Sequence, residues 1–205
     1  MKQFILTLIF ILSLSLPTYA FSPKYYGNDG FHKYHNTLIS CEDPHYLKII
    51  KEALRDIERA GYFLPPMIIA NKEEYQIEEK TIIVDDDKGF ILGETGISDG
   101  NIYLNPYNYK YNLEEAYETI FHEIGHYNNF VNIRLNYTES QKFTKYILDK
   151  NNLPTADIPE IKRVLGNYAC TDPAEFVAEY FAHKMMGDRF FSERLTTLYH
   201  SFGGV

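Results

Sequence analysis

Apolar positions along this chain fall into blocks whose period changes, and the changes mark its elements. From Asp43 and Pro44 onward, Tyr46, Leu47, Ile50, Leu54 and Ile57 recur at helical spacing up to Gly61. This predicts a capped amphipathic helix that serves as core scaffold. Short runs at Met67–Ala70, 81–85 and 101–105 read as strands. In the last of these, Ile102 and Leu104 take one face and Tyr103 and Asn105 the other. Helical spacing returns at Leu113, Ala116, Tyr117, Ile120, Phe121 and Ile124. Asn112 is a good N-cap, and Glu115 is placed to complete a capping box, so a helix is predicted over 113–130. Further helices are expected at 138–150, at 158–165 before Gly166, and at 192–201, with another starting at Pro173 behind an Asp172 N-cap. Residues 21–42, rich in Tyr, Gly, Asn and His, show no period and read as an extended lead-in. A few strands followed by many helices predict an α+β fold, mostly helical, in a single domain spanning 21–205.

The amino terminus changes the compartment. Lys2, an apolar stretch over 4–16, Pro17 and the small-residue site Thr18-Tyr19-Ala20 form the pattern of a signal peptide over 1–20. The expected location is secreted and extracellular, or periplasmic in a Gram-negative source, with no membrane association after cleavage. A net charge of −8 without a basic cluster argues against nucleic acid and anionic membrane surfaces as partners. Cys41 and Cys170 are the only cysteines. In an oxidising compartment they either form a disulfide or remain two buried thiols. The acidic run Asp85-Asp86-Asp87 reads as a solvated loop, and His32, His35 and His45 as solvated histidines without ligand spacing.

The chemistry concentrates in His122-Glu123-Ile124-Gly125-His126. Residues four apart on a helix share a face, so the two imidazoles can grip one metal ion, while Glu123 can reach a water as general base. The plainer alternative is an amphipathic helix with partly buried histidines. Gly125 costs about 1 kcal/mol relative to Ala in mid-helix, which points to close backbone approach there. A catalytic zinc needs a third protein ligand. A third histidine six residues on would be metzincin-like, but Asn129 and Asn132 occupy the relevant positions. Glu175 and Glu179, at i,i+4 in the helix that starts at Pro173, are better placed, though such a pair can also be a solvated acidic face. Glu179 can accept the free N–H of a ligating histidine.

Taken with the stretch Tyr168-Ala169-Cys170-Thr171-Asp172-Pro173-Ala174-Glu175-Phe176-Val177-Ala178-Glu179-Tyr180-Phe181, the motif resembles the zinc peptidase domain of anthrax toxin lethal factor and the clostridial Pro-Pro endopeptidases, which are gluzincin-type enzymes. Val177 departs from the aromatic found there in the family. The resemblance implies a zincin-like fold, one zinc ion held by His122, His126 and Glu175, and a Tyr168 that supports the transition state. It also implies that the strand carrying Tyr103 forms the edge of the active-site cleft, where a peptide pairs as an added strand. Tyr103, with Tyr107, Tyr109 and Tyr111, could then wall a specificity pocket; the alternative is a tyrosine-rich loop that caps the helix start. The resulting expectation is a zinc metalloendopeptidase acting on a peptide or protein substrate, assumed monomeric. A non-catalytic zincin-fold binding protein and a zinc hydrolase of a non-peptide substrate are the alternatives.

Overall fold

The computed structural model describes residues 31–70, 82–84, 87–89, 93–97, 99–105, 112–187 and 191–205. Residues 1–20, expected to be a signal peptide, and Asp85, Asp86, Tyr107, Tyr109 and Tyr111 lie outside the described residues. The fold is α+β and mostly helical, with a small mixed sheet.

The lead-in expected over 21–42 is corrected over its second half. There, β1 (Phe31–Tyr34) and β2 (Thr37–Cys41) form an antiparallel hairpin turning at His35, whose φ is 49°. Thr37, Ile39, Ser40 and Cys41 are buried, so this hairpin is part of the core rather than an approach to it. The scaffold helix α1 (Pro44–Arg59) follows. The Asp43 carboxylate accepts from the backbone N–H groups of His45 and Tyr46, and a left-handed Gly61 lies beyond its end. Then come β3 (Met67–Ala70), the isolated antiparallel pair β4 (Ile82–Val84) and β5 (Asp87–Gly89), β6 (Gly93–Thr95) and β7 (Ile102–Leu104).

The main sheet runs β1-β2-β3-β7-β6. Its three inner strands are parallel, and the two outer ones are antiparallel to their neighbours. The register aligns Ile39, Ile68, Ile102 and Thr95 across four strands. Paired residues point to the same face. The three isoleucines are fully buried, so Thr95 continues a row that faces the helical layer.

That layer is organised by α2 (Leu113–Asn136), six residues longer than expected, with Asn112 accepting from the Glu114 N–H. The next expected helix is shorter: α3 (Ser140–Ile147) gives way to a 3₁₀ turn at Lys150–Asn152. After α4 (Ile158–Leu165) comes a second 3₁₀ turn, Tyr168–Cys170, leading into α5 (Pro173–Met186). Asp172 caps α5 by accepting from the N–H groups of Ala174 and Glu175, a cap of the kind that contributes about 1 kcal/mol. Finally, α6 (Glu193–Ser201) and the tail pack Tyr199 and Phe202 against Phe176 and Tyr180. Among the described residues no helix is long and apolar enough to cross a membrane.

The two cysteines are not bonded in this structure, so of the two alternatives it holds the free thiols, with Cys41 buried and Cys170 only half-buried. Cys41 is buried at the end of β2 with its thiol donating to the Asp43 carbonyl. Cys170 sits on the turn before α5, its thiol directed at the carbonyls of Ile158 and Gly166. The sheet and the helical turn hold the two thiols in separate surroundings.

Candidate metal centre

The site forms where α2 crosses α5, and Gly125 sets how close the two helices come. A β-carbon at Gly125 would lie 3.1 Å from the Ala178 Cα and 3.2 Å from the Ala178 carbonyl oxygen. The close approach expected from a glycine beside the motif is therefore present. Val177, the departure from the family pattern, is buried in the core.

Across this contact two ladders of side chains at four-residue steps face each other: Glu118, His122 and His126 on α2, and Glu175, Glu179 and His183 on α5. His122 Nε2 and His126 Nε2 are 3.1 Å apart. Glu175 Oε2 lies 3.1 Å from the first and 3.3 Å from the second. A tetrahedral centre with bonds of about 2.0–2.1 Å separates its ligand atoms by roughly 3.3 Å. The triangle thus has the size that zinc requires. Glu175 Oε2 is buried and makes no well-directed hydrogen bond among the described residues, despite its two close nitrogens. Two imidazoles and one carboxylate are also a donor set suited to zinc, so the residues fit the ion.

Glu179 completes the histidine's surroundings. Its Oε1 lies 3.0 Å from His122 Nδ1, which fixes Nδ1 as the protonated nitrogen and leaves Nε2 for the centre. Burial opposes charge on His122, but its contacts with Glu175 and Glu179 outweigh that and raise the imidazole to about 10. Burial likewise opposes charge on Glu175, yet His122 and His126 hold its carboxyl well below the usual range. The cluster favours a cation, whether proton or metal. One turn further, Glu118, Glu179 and His183 form a looser group with ligand atoms within 4.8 Å of one another.

Glu123 is buried at 5% exposure, against β6. The Thr95 hydroxyl lies 2.6 Å from Glu123 Oε2 and 2.9 Å from the Glu123 carbonyl oxygen. Tyr168, on the turn before α5, is 53% exposed, with its ring 5.8 Å from that of His122. Burial of its hydroxyl end, then the charges of Glu175 and Glu123, raise its phenol above the ordinary value. The ring thus stands beside His122, with its hydroxyl near both carboxylates.

One expected residue is displaced from its role. Tyr103 lies on β7, which pairs with β3 on one side and β6 on the other, so its backbone is not a free edge. Tyr103 also aligns with Ile69 and Glu94, in the register opposite to the Ile102–Thr95 row that faces the helices. Among the described residues the edge strand beside the site is β6.

Sequence reasoning missed Gly93, Thr95, Glu118 and His183. The last two had a signal, since each stands four residues outward from His122 or Glu179 on the same helix face. Gly93 and Thr95 had none, because a three-residue strand carries no readable period. His32, His35 and His45 are exposed, as expected. Compared with protein-family models, curated proteins and solved structures, the chain finds no match.

Proposed function

We propose that this chain is a secreted zinc-dependent endopeptidase with a zincin-like, lethal factor-like catalytic domain of the gluzincin type. The observation that carries this reading is the 3.1–3.3 Å triangle of His122 Nε2, His126 Nε2 and Glu175 Oε2, with Glu123 and Tyr168 on its flanks. The residues of the Tyr168–Phe181 stretch, present in the order that the family resemblance implies, add support.

His122, His126 and Glu175 would hold the zinc, which when bound would supply Lewis-acid chemistry toward a carbonyl and a water. Glu123 takes a proton from the attacking water and returns it to the leaving amine. A buried carboxylate beside the centre suits that task, and a binding protein has no need of one there. Tyr168 donates its hydroxyl proton in a hydrogen bond to the oxyanion that develops on the carbonyl. Its raised phenol keeps that donor protonated. Glu179 keeps His122 in the tautomer that presents Nε2. The substrate backbone adds to the outer side of β6 rather than to the strand that carries Tyr103, which is paired on both sides. Such pairing selects an extended peptide over other acyl substrates.

The test is a peptide library incubated with zinc-loaded protein, wild type beside Glu123→Gln. Cleavage by the wild type and loss of about 10² or more in rate in the variant is expected. One bound zinc with no cleavage of any peptide by the wild type would instead favour the binding protein.

A further inference from the structure

The edge strand does more than border the site. Register places Gly93 opposite Leu104 and Thr95 opposite Ile102, so both point to the face that carries α2. At Thr95 the hydroxyl meets Glu123 Oε2 at 2.6 Å, the length of a charge-assisted O–H···O⁻ bond. At Gly93 a β-carbon would stand 2.8 Å from Glu123 Cγ and 2.9 Å from Oε1. Any side chain there would displace the carboxylate or cover Oε1.

From this we infer that β6 divides the labour of the two Glu123 oxygens, with Thr95 as a positioning residue. Thr95 anchors Oε2, and Gly93 leaves Oε1 uncovered as the oxygen that exchanges protons with the attacking water. The Glu123 carbonyl oxygen lies 2.9 Å from the same hydroxyl, whose single proton goes mainly to the nearer Oε2, so the strand also sits against the backbone of α2. The bond to Oε2 fixes the rotamer of the base, and the closeness of strand and helix backbone fixes its distance. A threonine suits this better than a serine in packing, because its methyl stays with the buried isoleucine row, but the hydroxyl alone supplies the anchor.

The inference rests on the endopeptidase reading, and two measurements keep their failures apart. The first is steady-state kinetics of zinc-loaded Thr95→Val and Thr95→Ser. Valine keeps the shape and removes the donor, so kcat is expected to fall about 10-fold or more with KM within twofold and zinc content unchanged. Serine is expected to restore most of kcat. Equal kcat in wild type and Thr95→Val, or a serine variant as slow as the valine variant, overturns the proposal. The second is crystal structures of the zinc-loaded wild type and Thr95→Val. Glu123 is expected in one rotamer with Oε2 on Thr95 in the wild type, and in a changed or split rotamer in the variant. An unchanged single rotamer overturns the proposal even if the wild type cleaves no peptide, an outcome that by itself refutes only the endopeptidase reading.

Discussion

Glu179 Oε1 lies 3.0 Å from His122 Nδ1, on the side of the imidazole away from the nitrogen that faces His126 and Glu175. A carboxylate so placed orients the ring and raises the basicity of the opposite nitrogen. Replacing Glu179 by Ala is expected to weaken zinc binding by about 10- to 100-fold without abolishing it. Competition against a chromophoric chelator measures this, and an unchanged affinity would reduce Glu179 to a solvated carboxylate.

Gly125→Ala probes the helix crossing. The added methyl gains about 1 kcal/mol of helix propensity, but it meets the Ala178 backbone at 3.1–3.2 Å, and backbone cannot swing aside. Overpacking costs about 1–3 kcal/mol. A net loss of roughly 1 kcal/mol or more is expected in denaturant unfolding, together with weaker zinc binding as Glu175 is pushed away from the histidines. A stabilised variant with full zinc affinity would show that the crossing relaxes freely.

Tyr168→Phe keeps the ring against His122 and removes the hydroxyl. The expected result is a fall in kcat of about 10² to 10³ with zinc retained, the scale of one lost oxyanion donor. Its phenol is raised by burial and by Glu175 and Glu123, so the group stays protonated, and a donor, through neutral and mildly alkaline pH. Loss of activity tracking a phenol deprotonation near pH 9 would contradict that assignment, as would an unchanged kcat in the variant.

The cysteines give a prediction independent of activity. Burial, only partly offset by the Asp43 backbone, raises the Cys41 thiol to about 11, and burial also raises Cys170. A thiol so raised stays protonated to higher pH than an ordinary one, so at pH 8 Cys41 is expected to resist alkylation in the native protein. In denaturant without reductant, both thiols should titrate. A count of zero would mean that the two are bonded.

The parts of this architecture that could be read from the chain share one property: their signals are local. Asp43, Asn112 and Asp172 each cap the helix expected of them, β3 has the predicted bounds, and the four-residue step from His122 to His126 brings both nitrogens together. What escaped depends on distant partners. Helix α2 was expected to end near Phe130, yet Ile133 continues its buried stripe, while Asn129 and Asn132 donate to the Phe202 and Gly203 carbonyls of the tail. The two asparagines that displaced a metzincin reading thus dock the carboxyl terminus. The hairpin of β1 and β2 was hidden by polar and aromatic residues whose burial only the sheet reveals. Strand β6 is legible only through Glu123, which lies 28 residues from Thr95.

The most direct test of the proposed zinc centre is restoration of peptide cleavage after the metal is stripped with a chelator. The account predicts that wild-type activity is lost on stripping and returns at one equivalent of zinc, while Glu175→Ala, folded by circular dichroism, neither retains that zinc nor recovers. Cleavage that survives chelation, or full zinc binding by Glu175→Ala, would contradict it.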